Sequence, residues 1–405
     1  MAKGRLQVEV YTAENALPLP NTKVEIFSTD GTLLEVAGTD ESGKTAELSL
    51  NAPEQTFSEI PTETRPYSEY NIIVSNDSYP TIEIKNVQIL PNVTALQPVD
   101  MSFFVDQLDQ REIVIEDNVL YGDYPAKIPE DSVKDISTDS GFVVLDKPVI
   151  PEFVVVHTAA PSVAATDYWI PFTSYIKNVA CSEIYSTWPK ETIRANVLAI
   201  ISFTLNRVYT EWYRSQGKYF TITSTTAYDQ YFKYGRTIYK EISQIVDELF
   251  STYITRSGIR QPILTQYCDG KNTTCPNAMS QWGSKYLGDK GYTAIEILKN
   301  YYGSGVYLVT AEKVTGVPVS WPGRTLQQGS RGSDVKTIQQ QLTTIHKNYP
   351  AIPSLVADGI YGPGTRKAVE IFQTTFNLSP TGTVTYSTWY KISQIYVAVE
   401  KLGPQ

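Results

Sequence analysis

The chain has just two histidines in 405 residues, His157 and His346. A zinc hydrolase needs a compact cluster of imidazole and carboxylate ligands, so two histidines this far apart argue against a metal-dependent amidase. His157 closes an apolar strand and reads as a structural histidine. Cysteine is nearly as scarce: three residues, an odd number, argue against a disulfide framework. Long apolar runs are missing too, and stretches such as Val197 to Phe203 fall far short of the roughly 20 residues a membrane span requires. Met1 to Val10 alternates polar and apolar residues without the continuous apolar stretch of a secretory signal, so it reads as a first strand. No Lys/Arg stripe or recognition motif points to nucleic acid.

What is present is enough for several cores. The length exceeds that at which one hydrophobic core stops growing, so two to four domains are expected. With 41% apolar and 12% aromatic residues, each can bury its own interior. The net charge of −9 hides an asymmetry. Residues 1–150 hold 26 acidic against 10 basic residues (−16), and residues 151–405 hold 17 against 24 (+7). A basic C-terminal portion suits an anionic polymer, and an acidic N-terminal portion can mask it by occupying the same surface. Uneven placement of solubilising charge accounts for the same numbers.

Four domains or segments follow from the patterning: 1–105, 106–152, 153–322 and 323–405. The first is all-β, with Leu6–Tyr11, Thr22–Phe27, Leu33–Ala37 and Tyr70–Ser75 as short strands separated by Asp30-Gly31 and Ser42-Gly43 turns. Its Ala16–Ile26 and Thr39–Lys44 segments resemble transthyretin-like or carboxypeptidase-regulatory sandwiches. Residues 106–152 are acidic, punctuated by proline and poor in periodic apolar positions, which reads as a linker. In 153–322 the spacing predicts a strand at Phe153–His157 and helices over 188–214, 236–254 and 293–301. Thr187 is expected to cap the first of these and Pro189 to sit in its first turn. Ile193, Val197, Leu205, Val208 and Trp212 recur at helical spacing and predict one buried stripe.

Two blocks carry the main resemblance. Cys181–Asn196 places Glu183 shortly before Thr187-Trp188-Pro189, and Met279-Ser-Gln-Trp-Gly283 follows. Together they resemble the core of stage II sporulation protein D, a family of peptidoglycan lytic transglycosylases. At the C-terminus, Leu326–Val335, Ile338–Leu342, Ala357–Gly362, Thr365–Val369, Phe372-Gln373 and Thr388-Trp389 resemble the three-helix peptidoglycan-binding domain, with Val335, Ile338, Leu342, Val369 and Phe372 as core. The whole layout is similar to that of germination-specific spore cortex-lytic enzymes. It implies a multidomain α+β chain: a β-sandwich pro-region, a mixed α/β catalytic core and a three-helix wall-binding module.

The resemblance implies a zymogen activated by a serine protease cutting within 106–152. It also implies a location in the spore cortex or coat region, reached without a signal peptide, and peptidoglycan as partner, with no cofactor and no metal. Most glycosidases use two carboxylates, whereas a lytic transglycosylase needs one. Glu183 is expected to protonate the leaving oxygen and then deprotonate the 6-hydroxyl of the muramic residue, giving a 1,6-anhydro end. Expected substrate contacts are Tyr185, Arg194, Asn196, Tyr228, Gln230, Tyr267, Ser280, Gln281 and Trp282. Seventeen of the 28 tyrosines fall between 153 and 310, which suits carbohydrate binding and equally suits core usage.

The sequence also departs from the family. Its Tyr-His-Ser-Ser segment is Tyr267-Cys268-Asp-Gly here, its Gly-His-Gly is Pro276-Asn-Ala, and an arginine of the first helix is Ile201. Cys268 and Cys275 leave open a disulfide, free thiols or, with Cys181, a weak zinc set. These changes keep two alternatives in view: a non-catalytic wall-binding or scaffolding protein with a degenerate core, and a muramoyl-alanine amidase.

Overall fold

Alternating burial organises the first hundred residues. The structure, a computed structural model, describes residues 2–13, 15–102, 112–134 and 147–402. Strands β1 (Ala2–Thr12), β2 (Leu17–Pro18), β3 (Lys23–Ser28), β4 (Leu33–Gly38), β5 (Leu48–Ala52), β6 (Ser68–Asn76), β7 (Tyr79–Ile89), β8 (Thr94–Asp100) and β9 (Glu112–Val114) build two sheets. β1 turns Leu6, Val8 and Val10 inward and the residues between them outward, as a half-buried strand must. It pairs antiparallel with β2 and β5 and parallel with β8. The second sheet runs β4-β3-β6-β7-β9, and its Val24, Ile26, Ile72 and Val74 join the same apolar core. The strands read from the sequence correspond to β1, β3, β4 and β6.

The stretch that reads as a linker is anchored at several points where it is described. β9 adds to β7 in parallel, and Ile115, Val119, Leu120 and Tyr124 are buried. Its contacts come from single side chains and backbone groups of an extended segment, so it shows no periodicity to detect. Of the region expected to contain the activating cut, residues 106–111 and 135–146 lie outside the described residues.

Beyond it the chain is mixed α/β. Phe153–His157 pairs with Asp167–Pro171 antiparallel and with Ile222–Thr223 in parallel. The helices of the chain are α1 (Thr56–Glu59), α2 (Phe172–Glu183), α3 (Lys190–Tyr209), α4 (Lys240–Leu249), α5 (Gln281–Asp289), α6 (Ala294–Tyr302), α7 (Ser333–His346), α8 (Pro363–Thr375) and α9 (Tyr386–Leu402). α3 is shorter than its apolar pattern predicts and is buried nearly all round rather than along one stripe. Pro189 precedes its first turn, and Thr187 is not its cap: the Thr187 hydroxyl donates to Ser58 Oγ of α1 at 2.8 Å. α4 stops at Leu249, and the residues expected to continue it form the strand Thr252–Arg256, paired with Val306–Thr310. α6 starts as expected, with Thr293 and Glu296 forming a reciprocal capping box. In the C-terminal helices, Val335, Ile338, Leu342, Val369 and Phe372 are all fully buried.

The N-terminal sheets are joined to the mixed region. Ile238–Tyr239 extends the first sheet by pairing with β8, and Trp188 Nε1 donates to Ser58 O at 2.8 Å. Acidic residues of the first region meet lysines of the second, as in Glu63–Lys271 (2.6 Å) and Glu116–Lys233 (2.6 Å). Such exposed pairs steer more than they stabilise. The buried tie is stronger. Arg207 is fully enclosed, with its Nη1 and Nη2 on Glu130 at 2.9 and 2.5 Å and its Nε on Asp229 at 2.7 Å. Removing one member of such a network strands the opposite charges without a partner. Arg207→Met is therefore expected to lower stability by about 3–5 kcal/mol, measured as a shift of the urea unfolding midpoint at unchanged slope.

Candidate functional site

α2 ends at Glu183, where Ile184 turns extended (φ −137°, ψ 167°). A helix C-terminus leaves its last carbonyls without intrahelical partners, and here the anchored segment 115–134, hereafter the strap, supplies them. Asn118 Nδ2 donates to Cys181 O at 3.2 Å, and the Val119 N–H donates to Ser182 O at 3.0 Å. Further along, the Tyr124 hydroxyl donates to Tyr267 O at 3.4 Å. The Lys127 ammonium donates to Asp229 O and lies 5.0 Å from the centre of the Tyr267 ring and 5.6 Å from that of Phe203. Glu130, clamped by Arg207, fixes the end of the strap.

Glu183 itself is fully buried. Its Oε1 accepts the Tyr231 N–H at 2.7 Å, and the Tyr267 hydroxyl faces the same carboxyl. Burial pushes the carboxyl above its usual range, while the Lys127 ammonium, the Tyr267 hydroxyl and the Tyr231 N–H hold it back. The position of Glu183 at a helix C-terminus, where the dipole is negative, works with burial against ionisation. Lys127 is desolvated in turn and pushed down to about 8, against the pull of Glu183 and Asp229.

A parallel pair brings the second block to this place. Tyr267–Cys268 lies beside Met279–Ser280, and Cys268 and Cys275 form a disulfide that closes the loop between them. The Asp269 carboxylate accepts the Asn272 and Thr273 N–H groups inside that loop at 2.7 and 2.9 Å. Gly270 has φ 76°, and any side chain there would collide with Ser280. Ser280 caps α5 by accepting the Gly283 N–H at 2.9 Å. Gln281 and Trp282 follow, both buried. Trp282 packs against Trp188 (ring centres 5.0 Å apart) and Tyr185 (6.1 Å).

Several polar atoms here are enclosed without partners: both amide atoms of Gln281, Trp282 Nε1 and the Ser186 hydroxyl. Each such atom costs about 1–3 kcal/mol, and buried polar groups are otherwise almost always satisfied. Their gathering beside a carboxyl marks a place that a polar ligand would complete.

The other expected contacts are engaged elsewhere. Gln230 is saturated by Tyr175, Thr204 and Ile200 O. Asn196 ties α3 to α5 through Ser284 Oγ at 2.8 Å. Arg194 pairs with Glu248 at 2.5 Å, and Tyr228 offers its carbonyl to Arg207 at 3.3 Å. Ser280 acts on the α5 backbone. Tyr124, Lys127 and Tyr231 are the additions from structure. Lys127 had one legible signal, being the lone cation between Glu112 and Asp131 in an acidic stretch.

No described group of three or more His, Cys, Asp or Glu is placed to hold a metal. Cys268 and Cys275 are joined, and Cys181 is a buried thiol pushed up to about 12 by desolvation. Both nitrogens of His157 are engaged, by Asp167 at 2.7 Å and Val163 O at 2.9 Å.

Residues 331–392, spanning α7, α8 and the first part of α9, match the model of the peptidoglycan binding domain family. The C-terminal module is a peptidoglycan-binding domain. No curated protein matches the chain. Similar solved structures include 5-hydroxyisourate hydrolase from Klebsiella pneumoniae, at 12% identity over 24% of this chain and 92% of that one, with a TM-score of 0.17. Transthyretin from Sparus aurata is another, at 16% identity over 24% and 88%, with a TM-score of 0.16. At these TM-scores neither likeness carries an argument. Among the described residues, no helix is long and apolar enough to cross a membrane.

The Lys127 charge holds the Glu183 carboxyl down, so Lys127→Met is expected to raise its titration midpoint. Carbon-13 carboxyl shifts followed against pH in the full chain would show this, and an unmoved midpoint would mean that the two groups are not coupled.

Proposed function

We propose that this peptidoglycan-binding chain is the zymogen of a lytic transglycosylase acting on spore cortex, with Glu183 as its one acid/base. The observation that carries the reading is the enclosed carboxyl, held by the Tyr231 N–H and facing the Tyr267 hydroxyl, beside the unpartnered Gln281 amide and Trp282 indole. Burial favours the protonated form of this carboxyl, the form that can deliver a proton. Glu183 protonates the oxygen between muramic acid and N-acetylglucosamine as the C1–O bond breaks. The carboxylate so formed removes the proton of the muramic 6-hydroxyl, and that oxygen closes on C1. The product carries a 1,6-anhydro end, and the carboxyl regains its proton without water or metal. Gln281 and Tyr267 supply the hydrogen bonds that orient the sugar, and Trp282 supplies an aromatic edge.

The strap supports the inactive state of the full chain. Asn118, Val119, Tyr124 and Lys127 lie over the end of α2 and over Tyr267, where the glycan has to enter. Cleavage by a serine protease within 106–152 would release the N-terminal sheets and free the stretch from Asn118 to Lys127 to leave, while Glu130 stays on Arg207. A second reading, a binding or scaffolding protein with an inert core, draws on the same enclosure, since Glu183 has no exposure in the full chain. An amidase is disfavoured because the ring nitrogens of His157 are committed to structural partners.

Mass spectrometry of cortex fragments released by a chain spanning residues 128–405, which keeps Glu130 on Arg207 and lacks Asn118 to Lys127, separates these readings. That chain is expected to yield anhydro-muramic ends, Glu183→Gln to lower the yield by about a hundredfold or more, and the full chain to be silent. Equal release by the Glu183→Gln chain would remove Glu183 from the chemistry. Binding without release would leave the scaffold.

A further inference from the structure

The peptidoglycan-binding domain has an open groove of its own, far from the glutamate in sequence. A groove of about 530 Å3 lies between α7, the loop carrying Leu355 and Ala357, Tyr396 of α9 and the connecting residues Pro318 and Val319. That volume falls within the range of small-ligand sites. Thr337, Gln341 and Thr344 reach it from α7 at intervals of four and three, which places them on one face of the helix. Gln341 is only 4% exposed, and its Oε1 has no hydrogen-bond partner. An amide oxygen enclosed without a donor leaves a cost that a ligand N–H or O–H would remove.

The lining defines the ligand. It contains hydroxyls, amides, a phenol ring and aliphatic carbon, and no charged side chain. A peptide stem, with its free carboxylates, would find no cation there. An N-acetylated sugar offers a neutral amide N–H for Gln341, hydroxyls for Thr337 and Thr344, and a ring face for Tyr396. We propose that this groove is an N-acetylhexosamine subsite by which the module holds the glycan strand. The connecting residues form part of its wall, fastened by Trp389 Nε1 donating to Val319 O at 3.1 Å.

The groove is open in the full chain. Val356, between two of its lining residues, is 81% exposed. The domain meets the N-terminal sheets through other residues: Asn348 Nδ2 donates to Ala16 O at 2.7 Å, Tyr349 Oη to Asn15 O at 2.7 Å, and Asn377 Nδ2 to Glu9 at 2.8 Å. The groove is therefore reachable while the N-terminal sheets are attached. This rests on the peptidoglycan-binding assignment of the module and not on the catalytic reading, so either can fail alone.

Calorimetric titration of the full chain, whose Glu183 is covered, tests the proposal. A tetramer of N-acetylglucosamine is expected to bind, and the matching glucose tetramer, which lacks acetamido groups, to bind at least several-fold more weakly. Gln341→Met, which keeps the volume, should weaken binding of the acetylated tetramer about tenfold, as losing one buried hydrogen bond would. Thr344→Val, which keeps the shape, should weaken it less. Both variants must melt like the parent. Unchanged binding by both would overturn the subsite. So would equal binding of the two tetramers, or displacement of the sugar by a stem pentapeptide.

Discussion

The Arg207 guanidinium is the point on which the rest of the glutamate's surroundings depend. It is buried in α3 and neutralised from two directions: Glu130 comes from the strap, and Asp229 begins the turn whose Tyr231 N–H holds Glu183. Asp229 also accepts Tyr213 Oη, the Thr223 N–H and the Thr223 hydroxyl, at 2.7, 2.8 and 2.7 Å. One cation thus fixes the covering segment and the carboxyl's own hydrogen-bond donor together. A buried charge demands full compensation, so the strap cannot shift at Glu130 without leaving Arg207 short of a partner. The strap and the turn that holds Glu183 share a foundation.

Much of this architecture was legible in the sequence, and the reasons for the gaps are physical. Alternation marked β1, β3, β4 and β6, and the 3.6-residue period marked α7 and α8, because each buries one face of a regular element. The ends of α3 and α4 were misplaced because apolar residues continue into the following turn or strand. The strap escaped notice entirely. An extended segment held by Asn118, Tyr124, Lys127 and Glu130, each with a different partner, leaves no period to find.

The grouping of these side chains was legible in part. Glu183, Tyr267, Gln281 and Trp282 occur in short blocks, and the structure brings those blocks together through a parallel strand pair and the start of α5. Gln230 and Asn196 have the same chemistry as Gln281, yet their amides are used up inside the protein. Sequence cannot separate a satisfied amide from an orphaned one, because the difference lies in which neighbours arrive.

The two-residue pairing of Ile238–Tyr239 with β8 makes the mixed region a guest strand of the N-terminal sheet. Were the two bodies parted, each would present a fresh sheet edge to solvent. Exposed edges recruit other chains in proportion to their length and flatness. This one offers a single short rung. It is long enough to set the register between two bodies and too short to template a fibre.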